Sequence, residues 1–155
     1  ELQQWPWKET DIYSTQKPSG PLFHGPDFQA ITQLITYTQQ GGSANLQGLR
    51  AKNWIEKNWQ IDVLAFDGVL QLLLLWGYNV LKQGTLPVCI SQIQFFQQPI
   101  SNEKLFAKFT SEKIDNYRTR SNAWLLNEKG HLYAAFKGIE MCVISNATKK
   151  EPVVL

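Results

Sequence analysis

Asp67 and Gln71 stand four residues apart inside an otherwise apolar run, Phe66-Asp67-Gly68-Val69-Leu70-Gln71-Leu72-Leu73-Leu74-Leu75-Trp76. On a helix, residues four apart share a face, so one carboxyl and one carboxamide point the same way out of an apolar rod. A carboxylate in such surroundings is costly unless something holds it. It marks either a hydrogen-bond network that serves the fold or a site that needs an acid. Burial among apolar side chains favours the neutral form of a carboxyl group, the form a proton donor needs near neutrality. An amide one turn on is placed to orient that carboxyl or to bond a substrate hydroxyl. The structural reading stays open beside the chemical one: Asp67 tied to nearby backbone, Gln71 a buried amide that only holds the fold.

Few other residues offer chemistry. His24 and His131 are too few and too separated for a zinc site, and no CxxC or other metal-ligand spacing occurs. Cys89 and Cys142 carry no motif and read as buried, reduced thiols of a cytoplasmic protein. A net charge of +2 argues against nucleic acid as the main partner. The basic set Arg50, Lys52, Lys57 and Lys82 reads first as a solvated face, and second as a surface that would complement an acidic partner.

The elements that must position Asp67 and Gln71 follow from patterning. A chain of 155 residues fits one domain. The polar, proline-broken opening, residues 1–21, reads as a lead-in; residues 22–146 form the domain and 147–155 a charged tail. The exposed-looking Trp5-Pro6-Trp7 suggests a piece of a larger polypeptide. Pro26 suits the first position of a short helix. Alternation predicts a strand over Ile31–Gln39, a hairpin turn at Gln40-Gly41-Gly42-Ser43 and a second strand over Ala44–Ala51. Asp62–Lys82 is the helix, stopped at Gln83-Gly84 with Gly84 as its cap. Ile61–Leu81 is long and apolar enough to raise a membrane span, but Asp62, Asp67, Gln71 and Asn79 favour a buried core helix. Strands over Val88–Gln97, Leu105–Ile114, Tyr117–Leu126 and His131–Ser145 follow, expected in hairpin succession. Two strands, one long helix and four strands make an α+β fold, a hot-dog in which a curled antiparallel sheet wraps the central helix.

Three segments together resemble a known family. Phe23-His24-Gly25-Pro26-Asp27-Phe28-Gln29 is similar to the [YF]-[HY]-G-P-x-F-Q segment of polyketide synthase dehydratase domains, with Tyr13 and Gly20 placed as the family often has a tyrosine and a glycine. Asp67-Gly68-Val69-Leu70-Gln71 resembles the D-x-x-x-Q motif, and Leu86-Pro87-Val88-Cys89-Ile90 resembles the L-P-x-x-I start of the next strand. The glutamine-flanked style resembles polyunsaturated fatty acid synthases more than modular assembly lines.

The resemblance implies a double hot-dog whose first half carries a histidine in H-x-x-x-G-x-x-x-x-P and whose second half carries the aspartate. This chain resembles the second, C-terminal half, since neither histidine lies in that motif. The implied activity is a lyase reaction, removal of water from a 3-hydroxyacyl group tethered to acyl carrier protein. Asp67 and Gln71 would be catalytic; His24, Gly25, Pro26 and Phe28 would bind substrate, with a Gly25 N–H on the thioester oxygen. No cofactor is implied beyond the carrier's phosphopantetheine. The implied partners are acyl carrier protein and a histidine-bearing hot-dog, with homodimerisation through an open sheet edge when that sister is absent. Two other readings remain: a non-catalytic scaffold or acyl-chain-binding module, and a hot-dog thioesterase, which also places an acid on the central helix. His24 as a packed loop histidine, and Tyr13 and Tyr78 as core or rim aromatics, stand beside the functional roles.

Overall fold

The apolar run folds as one helix, α1 (Val63–Leu81), because both of its ends are capped. The Asp62 carboxylate accepts a hydrogen bond from the Ala65 backbone N–H at 2.9 Å, satisfying a donor that the first turn leaves free. At the other end Lys82 takes a left-handed conformation (φ 58°, ψ 24°) and its N–H bonds the Tyr78 carbonyl. The cap is therefore Lys82 and not Gly84. The chain must turn back by Thr85, where the next strand begins, and Gly84 comes too late for that. The computed structural model describes residues 3–52, 54, 59–96 and 104–144.

Among the described residues six strands surround the helix: β1 (Ile31–Thr38), β2 (Gly41–Leu46), β3 (Thr85–Phe95), β4 (Leu105–Lys113), β5 (Arg118–Asn127) and β6 (Leu132–Val143). They form one antiparallel sheet in the order β1-β2-β4-β5-β6-β3, and α1 touches every strand. This is the expected α+β hot-dog. Alternation fills the inner face: Leu105, Ala107 and Phe109 of β4, Ala123 and Leu125 of β5, and Phe136, Ile139 and Met141 of β6 are buried with Leu72, Leu73, Leu75 and Trp76 of α1. Since α1 is packed inside the sheet, its membrane-span length reflects a core helix.

Four expectations need correction. The last four strands are not in hairpin succession, because β3 crosses to pair with β6 and leaves β4-β5-β6 as the hairpin run. The first hairpin turns at Gln39-Gln40, and Gly41 and Gly42 already belong to β2. Gly41 has φ 149° and lies against the Phe109 carbonyl, a conformation and an approach that a side chain would obstruct. β2 ends at Leu46, short of Ala51, and Leu49–Lys52 is a 3-10 turn. The physical cause is Asp62, whose carboxylate takes the Leu49 N–H at 3.0 and 3.1 Å and draws the chain off the sheet. Residues 1–21 are no detached lead-in: Trp5, Ile12 and Tyr13 are buried in the core and Gln3 bridges to Tyr37 of β1. The tail at 147–155 lies outside the described residues, as does Lys57.

Candidate active site

Gln71 is fully buried, and all of its hydrogen-bonding capacity that can be counted is used. Its Oε1 accepts from the Tyr13 hydroxyl at 2.7 Å and from the Ala30 N–H at 3.4 Å. Its Nε2 donates to the Phe28 carbonyl and to Asp67 Oδ2, both at 2.6 Å. Two donors face the oxygen and two acceptors face the nitrogen, so the amide has one sensible orientation. Tyr13 is itself held, accepting the Ile31 N–H at 3.0 Å. Burial pushes its phenol well above the ordinary tyrosine range, so it stays a donor. A polarised chain therefore runs from the Ile31 N–H through Tyr13 and Gln71 to one oxygen of Asp67.

Gly68 sets the depth of this assembly. A Cβ there would meet Ala30 Cβ at 2.7 Å and Leu46 Cδ1 at 3.0 Å, so a glycine next to Asp67 lets α1 press against both elements. That contact brings Gln71 within reach of the Phe28 and Ala30 backbone.

Asp67 is less buried than its apolar neighbours in sequence led us to expect. A third of its side chain is exposed, because α1 turns the stripe Asp67, Leu70 and Leu74 toward an open cavity of about 390 Å³. Phe23, His24, Gly25, Phe28, Leu86 and Pro87 complete the lining. The walls are mostly carbon, and Asp67 is their carboxylate. His24 comes from the loop, nine-tenths buried, with Nε2 3.5 Å from Asp67 Oδ2. Its ring stacks on Phe23 (centroids 4.5 Å apart) and meets Tyr13 edge-on. Burial lowers the pKa of His24, partly offset by the Asp67 charge, so the ring is neutral near pH 7.

Of the residues expected at a site, Asp67, His24, Gly25 and Phe28 line this cavity and Gln71 orients Asp67 from below. Pro26 does not line it. It opens the 3-10 turn Pro26–Phe28, and its carbonyl accepts from Lys52 Nζ at 2.8 Å. Gly25 has open space beside it and its N–H has no partner among the described residues. Sequence reasoning included Tyr13 in the family resemblance but did not join it to Gln71 and Asp67. It also missed the wall residues Leu70 and Leu74, although their spacing of three and seven from Asp67 places them on its face. Against the expected burial, Cys89 is exposed on the edge strand β3 and Cys142 of β6 is half-buried. Among the described residues no cluster of His, Cys, Asp and Glu could hold a metal.

The family model described as polyketide synthase dehydratase N-terminal domain matches residues 8–151. This chain belongs to the polyketide synthase dehydratase family. Solved structures of such dehydratases share its fold. The dehydratase domain of PpsC from Mycobacterium tuberculosis aligns with TM-score 0.68 at 21% identity, over 93% of this chain and 52% of that one. The dehydratase domain from the CurJ module of the curacin polyketide synthase gives 0.67 at 16%, over 89% and 50%. GphF dehydratase 1 gives 0.65 at 14%, over 79% and 46%. The chain thus spans about half the length of these dehydratase structures. No curated protein matches it.

Proposed function

We propose that this chain is the aspartate-bearing hot-dog of a dehydratase that converts 3-hydroxyacyl groups on acyl carrier protein to 2-enoyl thioesters. The observation that carries the reading is Asp67: a partly exposed carboxyl group in an apolar cavity, oriented by a fully bonded, buried glutamine. Elimination needs a base for the proton alpha to the thioester and an acid for the departing hydroxyl. Gln71 occupies Oδ2, so the transferable proton belongs on Oδ1, which bonds no other described group. The apolar walls suit an acyl chain. The unpartnered Gly25 N–H is available to the thioester oxygen.

The matching family description reads N-terminal domain. The Asp67–Gln71 pair, and the lack of H-x-x-x-G-x-x-x-x-P around His24 or His131, favour the aspartate-bearing, C-terminal half instead. The imidazole base then comes from another hot-dog, and acyl carrier protein delivers the substrate, in the cytoplasm. The lack of that histidine motif also favours a second reading, a non-catalytic scaffold or acyl-chain-binding module of the same synthase.

Asp67→Asn in the complete dehydratase separates the two. Loss of 2-enoyl thioester formation by about 10²–10⁴-fold, followed by mass spectrometry of the carrier-bound acyl group, supports the acid role. Unchanged turnover leaves only the scaffold.

A further inference from the structure

His24 is poorly placed to serve as a base. Its Nδ1 is buried and has no hydrogen-bond partner among the described residues, while its Nε2 faces Asp67 Oδ2 at 3.5 Å. A neutral imidazole carries one N–H. With the proton on Nδ1, that N–H would be buried and unbonded, and the Nε2 lone pair would face a carboxylate oxygen. With the proton on Nε2, that nitrogen faces the Asp67 oxygen across 3.5 Å, an electrostatic contact longer than an ordinary hydrogen bond, and only a lone pair is left unpaired. Orphaned buried N–H groups are rarer in proteins than orphaned acceptors, and the Asp67 oxygen attracts a proton on Nε2, so the second tautomer is favoured. The basic nitrogen of His24 then faces protein and not the cavity.

Resting on the dehydratase reading above, we propose that His24 is a positioning residue for Asp67: its Nε2–H and the Gln71 amide together hold Oδ2, which aims Oδ1 at the substrate hydroxyl. Three observations converge on this. Gln71 Nε2 donates to Asp67 Oδ2 at 2.6 Å, and His24 Nε2 lies 3.5 Å from the same oxygen. Stacking on Phe23 and edge contact with Tyr13 fix the imidazole plane. Tyr13 connects to the same carboxylate from the other side, through Gln71. The titratable groups facing His24 are Asp67 on α1 and Tyr13, and burial keeps the Tyr13 phenol protonated.

Imidazole nitrogen shifts measured by NMR on the 155-residue chain test the tautomer directly and without turnover. The Nε2–H form should dominate in the wild type, and the two forms should mix in Asp67→Ala. A dominant Nδ1–H form, or a tautomer indifferent to Asp67→Ala, overturns the proposal. Kinetics in the complete dehydratase give the second arm. His24→Phe keeps the ring packing and removes the N–H, so kcat should fall about tenfold with KM little changed. His24→Gln, which restores an N–H, should recover most of the loss. Equal loss in both variants, or none in His24→Phe, rejects positioning. If Asp67→Asn retains full turnover, the dehydratase reading fails, whatever His24 does; if it is dead while His24→Phe is unaffected, only the positioning role fails.

Discussion

At the scale of the residue, the site depends on which atoms are already committed. Gln71 spends both N–H groups and its carbonyl within the protein, so it has no hydrogen bond left for a substrate and acts by fixing Asp67. Tyr13 supports Gln71 in the same way. Tyr13→Phe removes one buried bond to Gln71 and leaves the Ile31 N–H unmet, at a cost of about 1–3 kcal/mol. We expect a lower thermal midpoint together with a severalfold drop in kcat, whereas a merely structural hydroxyl would move only the midpoint. His24 adds a pH dependence with a definite sign. Its folded-state pKa is depressed below the ordinary 6.5, chiefly by burial, so the unfolded chain takes up the proton first as pH falls. Its contribution is whole above about pH 6.5 and is lost as pH drops through the folded value. Asp62 runs the other way, because burial raises its carboxyl pKa and its contribution declines as pH rises through the raised value. Urea midpoints measured between pH 4 and 8 should therefore show the wild type losing stability relative to His24→Gln as pH is lowered from 6.5.

At the scale of the element, Asp62 shapes more than α1. Its carboxylate caps the helix through Ala65 and also ends β2 through the Leu49 N–H, while its own N–H donates to the Tyr133 hydroxyl of β6 at 2.9 Å. Asp62→Ala loses the cap and strands a buried N–H, together about 2–4 kcal/mol; Asp62→Asn keeps an oxygen for the cap and should stay close to wild type in thermal denaturation. Gly68→Ala should cost about 1–3 kcal/mol by forcing α1 away from Ala30 and Leu46, and should misplace Gln71 relative to the Phe28 carbonyl. These junctions mark the limit of what the sequence discloses. The helix was legible because a long apolar run carrying an acid and an amide four apart suits a buried helix and little else, and the strands were legible by alternation. The end of β2 was not, because it is set by a carboxylate 13 residues away in sequence. Tyr13 was equally hidden: nothing local distinguishes a core tyrosine from one whose hydroxyl meets Gln71 across 58 residues. The crossing of β3 to β6 leaves no mark on the pattern of either strand, since pairing partners do not alter which residues alternate inward.

At the scale of the whole molecule, the two edges of the sheet are not equivalent. The β1 edge is occupied by the opening segment: the Gln3 N–H bonds the Tyr37 carbonyl at 3.0 Å, the Glu9 carboxylate takes the Leu34 N–H at 2.8 Å, and the Tyr13 hydroxyl takes the Ile31 N–H. Those groups are then closed to another strand. Among the described residues β3 pairs only with β6; it is 11 residues long and carries no charged side chain, with Leu86, Val88 and Phe95 exposed along it. Long, uncharged, apolar edges invite pairing, and proteins usually block them with charges. The same strand supplies Leu86 and Pro87 to the wall of the Asp67 cavity, and the exposed Phe23 and Phe28 flank it. A second hot-dog seated along β3 would cover these side chains and roof the cavity, bringing its own residues toward Asp67. On the dehydratase reading proposed above, that is where an imidazole from a sister half would arrive. Without such a sister the edge should pair with its own copy about a two-fold axis. Sedimentation of the chain alone should report a dimer at high concentration, and Val88→Lys, which sets a charge on the free edge, should leave a folded monomer. A wild-type monomer at every concentration, or a Val88→Lys dimer as tight as wild type, would show that β3 is not the surface where two hot-dogs meet, and the route by which a base reaches Asp67 would have to lie elsewhere.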